Sequence, residues 1–599
     1  MEAIDQIKEK ISQKKSFVLE AGAGAGKTYA LIQTINYLIE VKGAELALNN
    51  QVVVCITYTN VAKNEIINRL ENNPIILVST IHEFLWDCIK SFKKQLVIEF
   101  DAINTIKHKE KPEKYDLKLA DRISRVEYTD RPYSDFEAGV VGHDDLITLA
   151  LRMFQNYILL TDILSSKYPF LLIDEYQDTA PETILALLDN LLSRNKEKVV
   201  LGFYGDSHQK IYDTGVGSLQ NYVDKSSLYL IKKEENYRSS KSVINLLNNI
   251  RTNIKQVIPY DTEEVEGSIE FINCTNYPEQ EKNQNKTTYE KSLIPNKNSN
   301  YETVISKLTE SGWDFGPGSP DKILIIANSR VAEKGGFGDL YSLFSRRYGQ
   351  SANDMLLKRE SPLISLFTGS LDRKTSIERK NGVEHLMTYF ENKDYGNLSL
   401  LLRANGIQAV NLKKHDDKGT ISKKLEELKV LRVERSVKDV FDFCIENKLI
   451  VQSKRLQKLI EKISTNLENL NDEQKAKIER DSILFNSFMA LPYIEVINFF
   501  KHTQNENVFS TKHGTKGEEY RNVLVVIDDT NWKQKYNFEN YFDNSEKRLD
   551  RLNRTKNLFY VSCSRAKENL VVLALSEMGE NAMVTISKWF GTENIYKLK

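Results

Sequence analysis

The stretch Leu19–Thr28 reads LEAGAGAGKT. An apolar run closed by Val18–Leu19 precedes it, and Tyr29–Glu40 (YALIQTINYLIE) follows with helical periodicity. The order is strand, glycine loop, helix, which surrounds a polyphosphate with backbone N–H groups and a helix N-terminus. In that arrangement Lys27 reaches the outer phosphates and the Thr28 hydroxyl reaches a magnesium ion. Gly22, Gly24 and Gly26 let the backbone come close to the phosphates, which a side chain would block. The strict pattern has glycine at position 21, where this chain has Ala21.

A chain of 599 residues is too long for one hydrophobic core and implies several domains. Lysine plus arginine and aspartate plus glutamate balance at 83 each. A neutral total does not exclude nucleic acid, because a local basic groove is what binds it. The five cysteines form no CxxC pair, so neither a disulfide framework nor a zinc site is expected. The N-terminus, MEAIDQIKEKISQKK, is charged and amphipathic, unlike a signal peptide. No apolar run approaches the ~18 residues of a membrane span. These features predict a soluble protein of the reducing cytoplasm.

Short β-branched runs recur between helical stretches: Phe17–Leu19, Val52–Ile56, Phe170–Ile173, Val199–Phe203, Lys322–Ile326, Val523–Ile527 and Leu570–Leu573. Their alternation with helices predicts an α/β fold of two parallel-sheet cores, each interrupted by a mainly helical insertion. The first core is expected over 1–90 and 141–245, with a small charged helical insertion at 91–140. The second is expected over 246–359 and 501–599, interrupted by helical residues 360–500. Residues 275–300, polar and rich in Asn and Lys, read as a long loop.

Leu171–Asp178, LLIDEYQD, is the second phosphate-linked element. Its apolar residues form a strand, and Asp174–Glu175 stand at the carboxyl end, where open α/β sheets bind ligands. One carboxylate can hold magnesium while the next orients and deprotonates the attacking water.

Further blocks follow in order. ITYTNVAKNEIINRL (Ile56–Leu70), STIHEF (Ser79–Phe84), HDDL (His143–Leu146), GDSHQKIY (Gly205–Tyr212), ENYRS (Glu235–Ser239), TKHGTKGEEY (Thr511–Tyr520) and FYVSCSRAK (Phe559–Lys567) resemble the motifs of superfamily 1 helicases of the UvrD/Rep type. This resemblance spans residues 6–567, implies that the two parallel-sheet cores are RecA-like, and implies roles position by position. Gln6 reads the adenine edge, Tyr237 stacks on the base and Glu519 accepts from the ribose hydroxyl. Asp174 coordinates the metal with Thr28, and Glu175 is the general base. Gln209 senses the γ-phosphate. Arg238 and Arg565 act on that phosphate as arginine fingers, from opposite sides of a cleft that must close. Single-stranded DNA is expected on Tyr58 and Tyr212 by stacking, with Asn60, His82 and His513 as polar contacts.

The chain departs from that family in two places. Asp213–Thr214–Gly215 stand where the family continues with an arginine, an aromatic and another arginine, so a stacking platform and positive charge are missing there. The helical insertions are also short, which resembles the compact helicase-like subunit of Gabija-type antiphage systems, a subunit acting beside an ATPase–nuclease. The resemblance implies an ATP- and magnesium-dependent 3′-to-5′ DNA translocase or helicase, in repair or in defence. The alternative is a DNA-sensing ATPase that controls a partner nuclease with little unwinding. DNA-stimulated ATPase and strand separation discriminate between the two.

Overall fold

The computed structural model describes residues 2–598 apart from 113–114, 116–118, 131–133, 211–213, 317, 326–327, 372–377, 405–414, 466–471, 505–508, 511–517 and 531–534. Two compact units emerge. One comprises Met1–Lys297, Gly517–Val523 and Asp528–Lys599, the other Asn298–Lys516 and Leu524–Ile527.

The first sheet consists of β1 (Phe17–Ala21), β2 (Val53–Thr57), β3 (Ile76–Thr80), β4 (Phe170–Asp174), β5 (Val200–Gly205) and β6 (Tyr229–Lys233). The strands lie in the order β3-β2-β4-β5-β1-β6, and every pair is parallel. Alternate residues along these strands feed two cores. Val18, Val54, Leu171 and Phe203 pack with the helices Ile81–Ile89 and His143–Asn156, while Phe17, Leu19, Cys55 and Tyr204 pack with Ala3–Ser12 and Lys27–Leu48. Burial on both faces is why β1, β2, β4 and β5 read as continuous apolar runs. The helix after the glycine loop runs to Leu48, beyond the apolar pattern, and ends in a solvated turn at Asn49–Asn50.

A second sheet contains β7 (Ser268–Cys274), β8 (Lys322–Ile325), β9 (Phe509–Ser510), β10 (Tyr520–Ile527), β11 (Ala566–Ala574) and β12 (Ile595–Leu598), in the order β9-β8-β10-β11-β7-β12. β7 pairs in parallel with both β11 and β12, and β8 with β9. The chain therefore has the two parallel α/β sheets expected of RecA-like cores. β7 lies well before the first apolar run expected in the second sheet, and the polar residues Ser268, Glu270 and Asn273 interrupt the apolar pattern that would have marked it.

Two segments differ from their sequence reading. Residues 275–300 do not form one long loop: helices span Lys286–Ser292 and Ile294–Glu310. Their buried stripe, Leu293, Lys297, Tyr301, Val304 and Leu308, has helical spacing that the surrounding Asn and Lys residues conceal. Lys297 is buried because its ammonium meets Asp528 at 2.7 Å. Among the described residues of 91–140, α-helix covers Lys93–Glu110. Beyond that come a short 3-10 turn and the two-residue strands Glu127–Tyr128 and Val140–Val141.

The second unit has its own core, in which Leu340, Phe344, Phe367, Leu386, Val440, Phe488 and Phe499 pack together. A helical array supplies it, including Pro362–Thr368, Val383–Glu391, Val437–Glu446, Asp472–Met489 and Ile494–Thr503. One buried carboxylate, Glu384, accepts from Arg432 at 2.7 Å and from the Tyr493 hydroxyl at 2.8 Å. No helix among the described residues is long and apolar enough to cross a membrane.

Candidate nucleotide site

The glycine loop joins β1 to helix Lys27–Leu48. Gly24 and Gly26 both have φ of +73°, a left-handed conformation that side chains rarely adopt. Gly26 is the helix N-cap, so Lys27 and Thr28 stand in the first turn, both half-buried. Ala21 is no obstacle, because it is the last residue of β1 and has no positive φ. A Cβ at Gly24 would lie 2.7 Å from the Arg238 Cβ and 2.6 Å from the Asn236 Oδ1. The ENYRS segment thus packs directly on the loop, and the Tyr237 N–H donates to the Gly24 carbonyl at 3.0 Å. The Tyr237 ring is half exposed beside the loop, with the Lys233 ammonium 5.3 Å from its centre.

Asp174 ends β4 and is buried, accepting from the Glu175 N–H at 3.0 Å. Glu175 has φ of +52°, a left-handed backbone without glycine. From its carboxylate a chain of hydrogen bonds crosses the site. Gln177 Nε2 donates to Glu175 at 2.5 Å, the Asp206 N–H donates to Gln177 Oε1 at 3.1 Å, and Gln209 Nε2 donates to Asp206 at 3.0 Å. Arg565 Nη2 closes it by donating to Gln209 Oε1 at 3.4 Å. One network therefore joins the residues expected to act as base, sensor and arginine finger.

The two arginines differ in their partners. Arg238 pairs with Glu519 at 2.8 Å and donates to the Ser564 carbonyl at 3.1 Å, while Lys567 meets the other oxygen of Glu519 at 2.7 Å. Arg565 is 1% exposed, and among the described residues its hydrogen bonds go to neutral oxygens: Val561 O, Glu518 O and Gln209 Oε1. Burial, and then the neighbouring Arg238 cation, push its guanidinium down to about 10. A buried cation hydrogen-bonded to neutral oxygens is a setting that an anionic ligand completes. The residues present therefore fit a polyphosphate. Thr28 and Asp174 offer the hard oxygen donors that a magnesium ion requires.

Gln6 stands half-buried on helix Ala3–Ser12, which packs on the core beneath β1. Of the expected DNA contacts, Tyr212 and His513 lie outside the described residues, as does the side chain of Asn60. Tyr58 is half-buried at the end of β2. His82 stacks on His143 with ring centres 3.3 Å apart, and burial, then His143, lower its pKa to about 3. Its ring is engaged inside the unit, in packing that its motif does not reveal.

Other residues here carry no role in the sequence reading. Arg251, 1% exposed, bridges Glu20 at 2.9 Å and Asp206 at 2.8 Å. Tyr176 and Ser207 also donate to Glu20, the latter from its N–H at 2.9 Å. Glu20, Asp206 and Tyr560 lie inside recognisable motifs, but Arg251 and Gln256 lie outside all of them. Arg251 meets Glu20 across 231 residues of sequence and Gln256 meets Ala23 across 233, so no local pattern marks them.

The motifs that line this site are similar to those of UvrD/PcrA-type helicases of superfamily 1, and comparison with known proteins finds similarity to the same class. A family model described as an AAA domain matches residues 4–215. Gabija protein GajB of Bacillus cereus (strain HuB5-5) is 28% identical over 96% of this chain and 95% of its own length. ATP-dependent DNA helicase PcrA of Staphylococcus epidermidis is 26% identical over 39% of this chain and 37% of its own length. PcrA of Staphylococcus aureus is 26% identical over 39% and 38%. The similarity to PcrA is thus confined to part of each chain, whereas that to GajB is nearly end to end.

Proposed function

We propose that this chain is an ATP hydrolase that couples turnover to single-stranded DNA, as a translocase or helicase of 3′-to-5′ direction. The observation that carries the reading is the buried Arg565 guanidinium, bound to neutral oxygens and linked through Gln209 and Asp206 to Glu175. In this reading the loop amides and Lys27 bind the triphosphate, Gln6 and Tyr237 hold the adenine, and Glu519 takes the ribose hydroxyl. Thr28 and Asp174 would hold magnesium, which supplies charge neutralisation at the phosphates when bound. Glu175 orients and deprotonates water, and Gln177 holds its carboxylate in place. Arg238 and Arg565 neutralise charge developing on the transferred phosphoryl, an effect worth about 10³–10⁵ in rate where such arginines have been removed. Tyr58, Asn60, His82, Tyr212 and His513 are the proposed DNA contacts.

A second reading is favoured by the end-to-end similarity to a Gabija protein. It is a DNA-sensing ATPase that controls a partner nuclease in antiphage defence and unwinds little. One experiment separates the two: ATPase with and without single-stranded DNA, followed by strand separation on a tailed duplex. Stimulated ATPase together with unwinding supports the motor, and stimulated ATPase alone supports the sensor. Lys27→Ala is expected to abolish turnover while leaving the fold intact. Full activity in that variant overturns the phosphate assignment.

A further inference from the structure

The first half of the glycine loop is held from outside by groups that belong to neither phosphate nor metal chemistry. Gln256 Nε2 donates to the Ala23 carbonyl at 2.7 Å, and the Ala23 N–H donates to the Tyr560 hydroxyl at 3.0 Å. Arg251 Nη1 donates to the Ala21 carbonyl at 3.3 Å. A Cβ at Gly22 would lie 2.1 Å from Gln256 Nε2, so the glycine is needed for this side chain as well as for a ligand. All three holding groups are buried.

Each is itself fixed. The Gln256 N–H donates to Asn248 Oδ1 at 2.7 Å, and Asn248 Nδ2 returns to the Gln256 carbonyl at 2.9 Å, which ties the segment to helix Lys241–Ile250. The Tyr560 hydroxyl donates to Asp206 at 3.3 Å and accepts from Arg251 at 3.4 Å. Tyr560 also rides on helix Leu549–Cys563, which leads directly into Arg565. By contrast, the downstream residues Gly26–Thr28 form the first turn of the loop's own helix.

We propose that Gln256 and Tyr560 are positioning residues that hold Ala21–Ala23 in the form that receives the triphosphate. The inference rests on the proposed ATPase reading of the same loop. Their hydrogen bonds supply the ordering of the loop before ligand arrives, so losing one weakens ground-state and transition-state binding together. The mark of that role is a rise in KM with kcat preserved. A residue that only supports the fold would lower the active fraction, and hence kcat, with KM unchanged.

The test measures magnesium-dependent ATPase kinetics on the full chain for wild type, Lys27→Ala, Gln256→Met and Tyr560→Phe, with thermal midpoints for each. Gln256→Met keeps the side-chain length, removes the donor and also removes the Gln256 Oε1, a buried acceptor without a donor. The expected result is a KM for ATP raised about tenfold in Gln256→Met and in Tyr560→Phe, the scale of one neutral hydrogen bond, with kcat within about twofold of wild type. If Gln256→Met does not fold, Tyr560→Phe decides alone; failure of both to fold assigns them to fold integrity and overturns the proposal. Wild-type KM in folded variants, or a fall in kcat at unchanged KM, also overturns it. If wild type turns over ATP and Lys27→Ala does not, such a result sinks this inference alone. Absence of turnover in wild type sinks the reading of the site and the inference with it.

Discussion

At the scale of single residues, the site holds groups in states that cost stability. Arg565 keeps a positive charge out of water with hydrogen bonds to neutral acceptors; Arg238 disfavours that charge further, and the Glu175 carboxylate offsets only part of the cost. Burying a charge that is incompletely paired costs stability, and replacing whole buried ion pairs by well-packed apolar residues is commonly neutral or stabilising, by about 1–4 kcal/mol. Arg565→Met is therefore expected to raise the thermal midpoint of the nucleotide-free protein while reducing ATP turnover by about a thousandfold or more. A lowered midpoint would show that the Glu175 carboxylate and the hydrogen bonds of Arg565 outweigh the cost of burying its charge. Glu175 carries a comparable burden in its backbone, since a left-handed non-glycine residue costs about 1–3 kcal/mol. Glu175→Gln retains that backbone and the contact with Gln177 but loses the basic oxygen. It is expected to bind ATP normally and hydrolyse it more slowly by orders of magnitude, measured by nucleotide binding beside single-turnover hydrolysis. An unchanged rate would remove Glu175 from its role as base.

At the scale of elements, legibility in the sequence followed burial. β1, β2, β4 and β5 are buried on both faces, and each was readable as an unbroken apolar run. β6 and β12 lie at sheet edges with exposed positions such as Tyr229, Lys232 and Tyr596, so neither has a run to read. The motif blocks marked the glycine loop, Asp174–Glu175, Gln209 and both arginines as candidates, and folding links Glu175, Gln209 and Arg565 in one hydrogen-bond network. Gln256 and Arg251 had no such signature, since their function depends on what folding brings beside them. His82 shows the same limit: its block identified the element, while its ring packs between helices Ile81–Ile89 and His143–Asn156. That packing has a pH consequence. The folded pKa of His82 is about 3 against a model-peptide value of 6.5, so between those values the unfolded chain binds more protons. Stability is therefore fully present above about pH 6.5 and lost as pH falls through that window. From pH 7 to 5 the loss is about 2 kcal/mol. His82→Phe keeps an aromatic ring and removes the titration, so its thermal midpoint is expected to fall less than that of wild type over that range. Identical slopes for the two proteins would mean that His82 takes up its proton in the folded state as readily as in the unfolded one.

At the scale of the whole molecule, the proposed nucleotide residues are concentrated in one of the two compact units. The glycine loop, Asp174–Glu175, Gln209, Arg238, Glu519 and Arg565 all belong to Met1–Lys297, Gly517–Val523 and Asp528–Lys599. The other unit packs around Phe344, Phe367, Phe488 and their neighbours, a separate core with its own buried Glu384–Arg432 pair. A ligand that binds only folded protein stabilises what it binds by RT ln(1 + [L]/Kd), about 2.7 kcal/mol at a hundredfold excess over Kd. Calorimetry of the full chain is therefore expected to resolve two unfolding transitions. Addition of magnesium and a slowly hydrolysed ATP analogue should move one of them upward by several degrees and leave the other in place. Lys27→Ala should abolish that displacement without merging the transitions, since the proposed phosphate contact is lost while the half-buried side chain belongs to none of the hydrophobic cores. A single transition that moves as a whole would show that the two cores unfold as one cooperative body, and a ligand-insensitive thermogram would remove the nucleotide from the first unit altogether.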